Sequence, residues 1–527
     1  MSQAESIIQI LSIQNPFTQS QVAEGIQSWP KTLQQCKHRA HLFKSFQNAD
    51  NSQIRPLQEK FDKLTLLAHT VEPLLRESTE TELEGYSQVF FQGSPWSQIN
   101  SIPFALVILS FYKSFIVPAF SIVLPLLSWI LPYILLRVFY NIPIGFTEYT
   151  GVLWRMWNGQ PMPKNPQELL LPLPPMPQED AMTQLRRLAQ NGWTLFTLGQ
   201  AIWQPIQQAR HFMRLDSTCI QLGNSIIEIK TIAGDLLQGW RGYLPHWLPS
   251  WLAECPSDAR QAFAFVQEVP FWLPHTFRAL GRFEILYRLA SRSDVVATEF
   301  LDSAKPILML KDFGDPSIAT ESRIVSSIGL GETQSKTKNH RHAILTGPNR
   351  GGKSSFMRGI LTNIILSHAF GAAFAGKAQM SHFTWIANGL RLDDTPGKQS
   401  MFEREVAFAS AVLKKDSGKG ILLYDELFHS TNPPDAIRTS ELFCNDLWKK
   451  ENCLSIVSTH VYSLARSAPE NVVKPICVAA WVLKDQREHS SLLVQSSRKS
   501  VEFSYTVQKG VCEVSSVDLV LKQYGMI

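Results

Sequence analysis

The sequence predicts an α/β domain built on a phosphate-binding loop at its C-terminal end. It predicts an all-α lever or core region before that domain, and before it a helical N-terminal region with a hydrophobic, membrane-type segment. Three observations predict this order. A glycine-rich loop at 347–354 lies between a short apolar strand pattern and a helix pattern. Long helical periodicities fill 181 to about 292. Between Lys113 and Arg137, 23 residues pass without a charge.

A chain of 527 residues exceeds one ordinary core and suggests about three or four units. Net charge is +5 on 50 basic and 45 acidic residues, so no overall field demands a polyanionic partner. Seven cysteines, scattered from Cys36 to Cys512 without a CxxC pair, disfavour both zinc and a disulfide framework and fit reduced, buried thiols in an intracellular compartment. The first residues lack the basic start and small-residue cleavage site of a signal peptide.

Residues 1–102 read as a polar helical region with an amphipathic run at 54–76. His38, His41 and His69 have no partners at ligand spacing and read as surface or packing residues. Residues 103–145 are expected to form a transmembrane or re-entrant segment. As helix, its uncharged part spans about 34 Å, enough for a bilayer core. Pro118, Pro125 and Pro132 predict kinks that membrane helices accept. The length allows one kinked span or a shallow re-entrant hairpin, with a buried hairpin in a soluble lobe as the alternative. Glu80, Glu82 and Glu84 precede the segment while Arg137, Arg155 and Lys164 follow it, so a single span places the C-terminal side in the cytosol.

Residues 146–180 contain the linker, with seven prolines at 161–177. Residues 181–300 read as packed helical levers, in which the tryptophans at 193, 203, 240, 247 and 251 fit a core better than a base-stacking surface. Residues 301–527 form the α/β domain, where the polar stretch 331–340 is a loop leading into the central strand at 342–346.

That strand enters GxxxxGKS. Gly347, Gly351 and Gly352 let backbone N–H groups and a helix N-terminus face phosphate, Lys353 adds a mobile charge, and Ser354 offers Mg²⁺ a hydroxyl. About 70 residues on, ILLYDE ends an apolar strand in two carboxylates. Asp425 is placed for the metal, and Glu426 for orienting or deprotonating water. A third strand-like run at 453–458 leads to Thr459 and His460, an imidazole set to sense the γ-phosphate. Ser400 stands at the N-cap of an amphipathic helix pattern, either as a plain cap or as a phosphate ligand.

TGPNRGGKSS (346–355), SMFERE (400–405), YDELFHST (424–431), STH (458–460) and the tail at 503–525 resemble, in letters and order, the ATPase domain of the MutS mismatch-repair family. The resemblance is strong over about 325–527 and diffuse over the helices from 181. It implies an ABC-type P-loop ATPase using ATP and Mg²⁺. Gly347, Pro348, Asn349, Gly351, Gly352, Lys353, Ser354 and Ser355 would bind nucleotide, Ser354 and Asp425 the metal, and Lys353, Glu426 and His460 would serve catalysis. It further implies a homodimer, or a pairing with a related MutS-like subunit, in which Ser400 acts in trans, and levers that couple ATP to DNA. Phe428, His429 and Ser430 stand where family members carry Gly-Arg-Gly, and no mismatch-reading domain with its Phe-x-Glu wedge is recognised. The expectation is a membrane-associated ATPase, anchored through 104–136 with its ATPase domain facing the cytosol and acting on mismatched or branched DNA. The competing expectation is a membrane-anchored mechanical ATPase that acts on a protein or membrane partner.

Overall fold

The computed structural model describes residues 3–49, 51–76, 80–93, 95–102, 104–157, 181–331, 340–390, 400–483, 500–514, 521 and 524–526. The linker prolines at 161–177 and most of the polar loop, 332–339, lie outside these. The chain divides into two compact units. One comprises Met1–Thr65, Gln238–His246 and Thr276–Ile527; the other comprises Leu66–Leu237 and Trp247–His275. This division cuts across the boundaries drawn from sequence, because the first 65 residues group with the α/β domain.

The first unit opens with α1 (Gln3–Ile10), α2 (Pro16–Gln27), α3 (Leu33–Gln47) and most of α4 (Asn51–Thr70). Asn15 and Thr32 cap α2 and α3, each side chain accepting a backbone N–H of the first turn. Amphipathic spacing in the sequence shows that these helices bury a face, but not against what; here Ile7, Leu11, Val22, Cys36 and Phe43 join the core of the α/β domain.

The second unit holds α5 (Glu80–Tyr86), α6 (Ala105–Phe111), α7 (Val117–Ile134), α8 (Phe146–Trp157), all but the last turn of α9 (Ala181–Trp240), α10 (Leu248–Glu254) and α11 (Ala259–Glu268). Its small core joins Tyr86, Phe90, Leu106, Phe212, Cys219 and Phe263. Asp216 is the polar tie within it, accepting two bonds from Arg260 (3.1 and 2.8 Å) and one from Ser110 Oγ (2.9 Å). Gly223 permits α9 to approach α11, since a Cβ there would lie 1.9 Å from the Ala259 carbonyl oxygen.

Helix runs from 105 to 139 without a reversal, and α8 then packs back on α7, the Tyr149 hydroxyl donating to the Trp129 carbonyl at 2.5 Å. The backbone widens to π-helix at Tyr112–Ile116 and Leu135–Phe139, on either side of α7, where Pro118, Pro125 and Pro132 each withhold a donor from the ladder. None of the described residues of α7 is buried. The helical periodicity read from 181 onward begins as the single helix α9, which continues through Pro205. Its tryptophans divide: Trp240 is buried, but Trp193 and Trp203 are 68% and 58% exposed, contrary to the core reading.

The first unit resumes within α12 (Trp272–Ala290) and continues through β1 (Val296–Ala297), β2 (Glu299–Leu301), β3 (Leu308–Phe313), β4 (Ser326–Leu330), β5 (His342–Thr346), α13 (Lys353–Phe370), β6 (Ala372–Ala373), β7 (Lys377–Ser381) and β8 (Trp385–Gly389). After these come α14 (Met401–Leu413), β9 (Gly420–Tyr424), α15 (Pro433–Leu447), β10 (Cys453–Ser458), α16 (Tyr462–Ser467), β11 (Val473–Leu483) and β12 (Ser500–Lys509). The main sheet has the order β12-β11-β5-β10-β9-β8, parallel except for the antiparallel edge pair β11–β12. Strands β5, β9 and β10 are buried at every position, as expected of parallel strands covered on both faces. A smaller sheet, β2-β7-β3-β4, lies beside it in sequence.

The N-terminal helices attach to this domain by specific bonds as well as apolar packing. Arg39 donates to the His368 carbonyl (2.7 Å) and Trp29 Nε1 to the Phe383 carbonyl (2.7 Å), and the Trp29 ring stacks on His368 at 4.5 Å. Gly371, at φ +75°, ends α13 where a Cβ would meet the Ala40 backbone at 2.4 Å.

Candidate nucleotide site

The carboxyl ends of β5, β9 and β10 bring the sequence-selected groups together. The loop after β5 turns through Gly347 (φ +143°), Arg350 (φ +67°) and Gly352 (φ +100°) before α13 begins at Lys353. A Cβ on Gly347 would stand 2.9 Å from the Val478 carbonyl oxygen of β11, so the tight passage needs glycine. The helix N-terminus thereby points its free N–H groups toward the loop, where an anion is favoured. Lys353 is 5% exposed, and its ammonium donates to the carbonyls of Gly347 (2.8 Å) and Pro348 (3.2 Å). Burial lowers its pKa, while the nearby Glu426 and Asp425 charges oppose that shift.

Ser354 Oγ donates to Asp425 Oδ2 at 2.5 Å, joining the two oxygen donors expected at the metal. The other oxygen of Asp425 accepts from Ser458 Oγ at the end of β10, and that hydroxyl accepts the Glu426 N–H at 2.8 Å. Glu426 itself takes φ +52°, an uncommon backbone state for a non-glycine residue that turns it out of the strand. Its carboxylate lies 3.9 Å from His460 Nε2, and both side chains are 43% exposed. Burial and the Lys353 charge push the His460 pKa down, against the pull of Glu426 and Asp425, which favours the neutral imidazole at physiological pH.

Residues 343–523 match the family model of MutS domain V. Over these residues the chain is similar to the MutS family. MutS domain V is a Walker-type ATPase domain, and the matched residues include the mixed α/β sheet around β5.

The remaining predicted positions of this MutS domain fall differently. Asn349 is exposed on the loop, and Ser355 accepts from Arg358 (3.0 Å) on the first turn of α13. Ser400 is exposed and caps α14 in a reciprocal box, accepting from the Glu403 N–H (3.2 Å) while Glu403 accepts from the Ser400 N–H (2.9 Å). Its described bonds are those of a cap.

Two features of the MutS domain went unread in the sequence. The first is a pocket of about 290 Å³ beside the loop, lined by Phe313, Ile318, Ile324, Arg350, Gly352 and Tyr505 among others. Its walls come from β3, the segment before β4, the phosphate loop and β12, so no local motif announces it. The second is the tie around Glu405, a carboxylate with 0% exposure on α14. It accepts from Ser430 Oγ and lies 3.0 Å from His429 Nδ1, and that nitrogen is also 3.0 Å from the Glu426 carbonyl oxygen. Phe428, at φ +52°, is buried against Tyr424 and Phe443. The Phe-His-Ser departure from the family pattern is thus a packed and hydrogen-bonded loop. Ser400 marked the cap in sequence; nothing local distinguished Glu405 as a buried carboxylate.

Proposed function

We propose that this chain binds and hydrolyses ATP with Mg²⁺ at the β5–α13 loop, works as a dimer in which Ser400 reaches the partner's nucleotide, acts on DNA, and is held at a membrane by residues 105–139. The observation that carries the ATPase reading is the Ser354–Asp425 bond beside Glu426 and His460, all within the MutS domain V match. A hydroxyl and a carboxylate together suit a hard divalent cation, which when bound neutralises phosphate charge. Lys353 exchanges its two loop carbonyls for phosphate oxygens, and the glycine loop contributes backbone N–H groups. Glu426 orients the attacking water, and a neutral His460 donates a hydrogen bond toward the γ-phosphate. The 290 Å³ pocket takes the base, with Tyr505 and Ile324 as its apolar walls.

Similarity to the family supports the DNA and dimer readings. The membrane reading is supported by Ala105–Pro125, a helix long and apolar enough to cross a bilayer and only 11% buried over its most apolar stretch. The test uses the full-length chain, because a fragment starting at 181 loses the N-terminal helices that complete the core around α13. Steady-state ATP hydrolysis is measured alone and with homoduplex, mismatched and branched DNA. Stimulation by one DNA class is expected; indifference to all of them transfers the reading to a membrane or protein partner.

A further inference from the structure

We propose that residues 181–204 of α9 lie on an anionic lipid surface as an interfacial helix, a membrane contact separate from the apolar helix at 105–139, and resting on the membrane reading of that helix. Leu185, Leu188, Leu195 and Ile202 recur at helical spacing on one face, with Phe196 and Trp203 beside them, and all are exposed; Leu188 is 70% and Leu195 61% so. Arg186, Gln190 and Thr197 occupy the opposite face. An exposed face of this kind, apolar except for Asn191 between Leu188 and Leu195, marks an interaction surface.

Charge and direction identify the occupant. From 181 to 215 the chain carries Arg186, Arg187, Arg210 and Arg214 and no carboxylate, which complements anionic headgroups. Within the same unit, Ser110 meets Asp216 and the Lys113 ammonium lies 5.8 Å from the Phe212 ring centroid. The numbering runs in opposite senses, so α6 and α9 are antiparallel there, and the apolar segments beyond, 117–134 and 182–204, leave the contact at the same end. A polar face with Arg186, Gln190, Thr194 and Thr197 bars the segment from spanning, whereas one apolar face with tryptophans suits the interface.

The test places a polarity-sensitive fluorophore at Leu195→Cys, Gln190→Cys or Leu124→Cys of the full-length protein, whose native cysteines are all buried. Each variant is reconstituted in phosphatidylcholine vesicles with and without phosphatidylglycerol. The expected result is a blue-shifted, lipid-quenchable probe at position 195 that depends on phosphatidylglycerol, a water-exposed probe at 190, and a lipid-buried probe at 124 in both vesicle types. Arg186→Gln or Arg214→Gln weakens the shielding at 195, by about fivefold per charge. A water-exposed probe at 195 with a buried one at 124 overturns the inference and leaves the membrane reading standing; exposure at both overturns the two together. Shielding at 195 that follows protein concentration instead of phosphatidylglycerol overturns it in favour of a second copy.

Discussion

Two helices of 18 residues each, α7 and α13, meet opposite surroundings. Helix α13 carries Lys353, Arg358, Asn363 and His368 and is buried along most of its length by the sheet and the N-terminal helices. Helix α7 carries no charge, three prolines and a nearly unbroken apolar sequence, yet none of its described residues is buried. The more polar helix is the one that protein atoms enclose. Hydrophobicity alone therefore does not locate the protein core in this chain: the packed interior admits charged and polar side chains, while the most apolar helix is left exposed.

The largest expected contrast comes from truncating one side chain in each helix. Ile364→Ala in the fully packed α13 is expected to destabilise the protein by about 2–5 kcal/mol, while Leu127→Ala in α7 changes the same unfolding transition by less than about 0.5 kcal/mol. Comparable losses in denaturant midpoint would erase the distinction. Charge sharpens the comparison from the other side: Leu124→Arg is expected to cost membrane insertion about 2.5–3.5 kcal/mol. Full-length protein then resists carbonate extraction and the variant is extracted more readily; ready extraction of the unmodified chain returns α7 to the soluble lobe.

Acid should act mainly on the α/β side. His342 and His368 are held by burial near a pKa of about 3, far below the ordinary 6.5. His368 is satisfied as a neutral ring, bonding the Ile364 carbonyl through Nδ1 (2.8 Å) and accepting the Phe383 N–H at Nε2 (3.0 Å). Above pH 6.5 neither folded nor unfolded chain protonates these rings. Below it the unfolded chain takes protons that the folded one refuses, so stability falls as pH drops from about 6.5 toward 3, by about 2 kcal/mol per histidine at pH 5. Thermal melts at pH 7.5 and 5 check this, and His368→Gln should flatten the dependence. The smallest expected effect is at the pocket proposed for the base. Tyr505→Ala should raise KM for ATP about two- to tenfold with kcat little changed, the scale of one lost aromatic contact.

The glycine-rich loop, Asp425, Glu426 and His460 were legible as neighbours because each lies at a strand end within a few residues of its own signal, and the structure sets Ser354 against Asp425 and Glu426 3.9 Å from His460. The uninterrupted helix at 105–139 was legible as an apolar run, though its π-helical passages were not, since they follow from proline geometry along the whole segment. The docking of α1, α2 and α3 on α13 was hidden, because a helical period shows a buried face without naming its partner. Tyr505 and Ile324 were hidden for a related reason: the pocket joins residues almost two hundred positions apart. Trp193 and Trp203 were misread as core because aromatic spacing is the same for a packed face and for one turned outward.

The most direct measurement is Mg²⁺-dependent ATP hydrolysis and nucleotide binding by the full-length protein beside Lys353→Ala and Glu426→Gln. Turnover is expected in the unmodified chain. Lys353→Ala should lose tight nucleotide binding, and Glu426→Gln should keep binding while kcat falls on the order of 10²–10³-fold. Equal loss of binding in both variants, or unchanged turnover in Glu426→Gln, would contradict the roles assigned to the loop and the carboxylate.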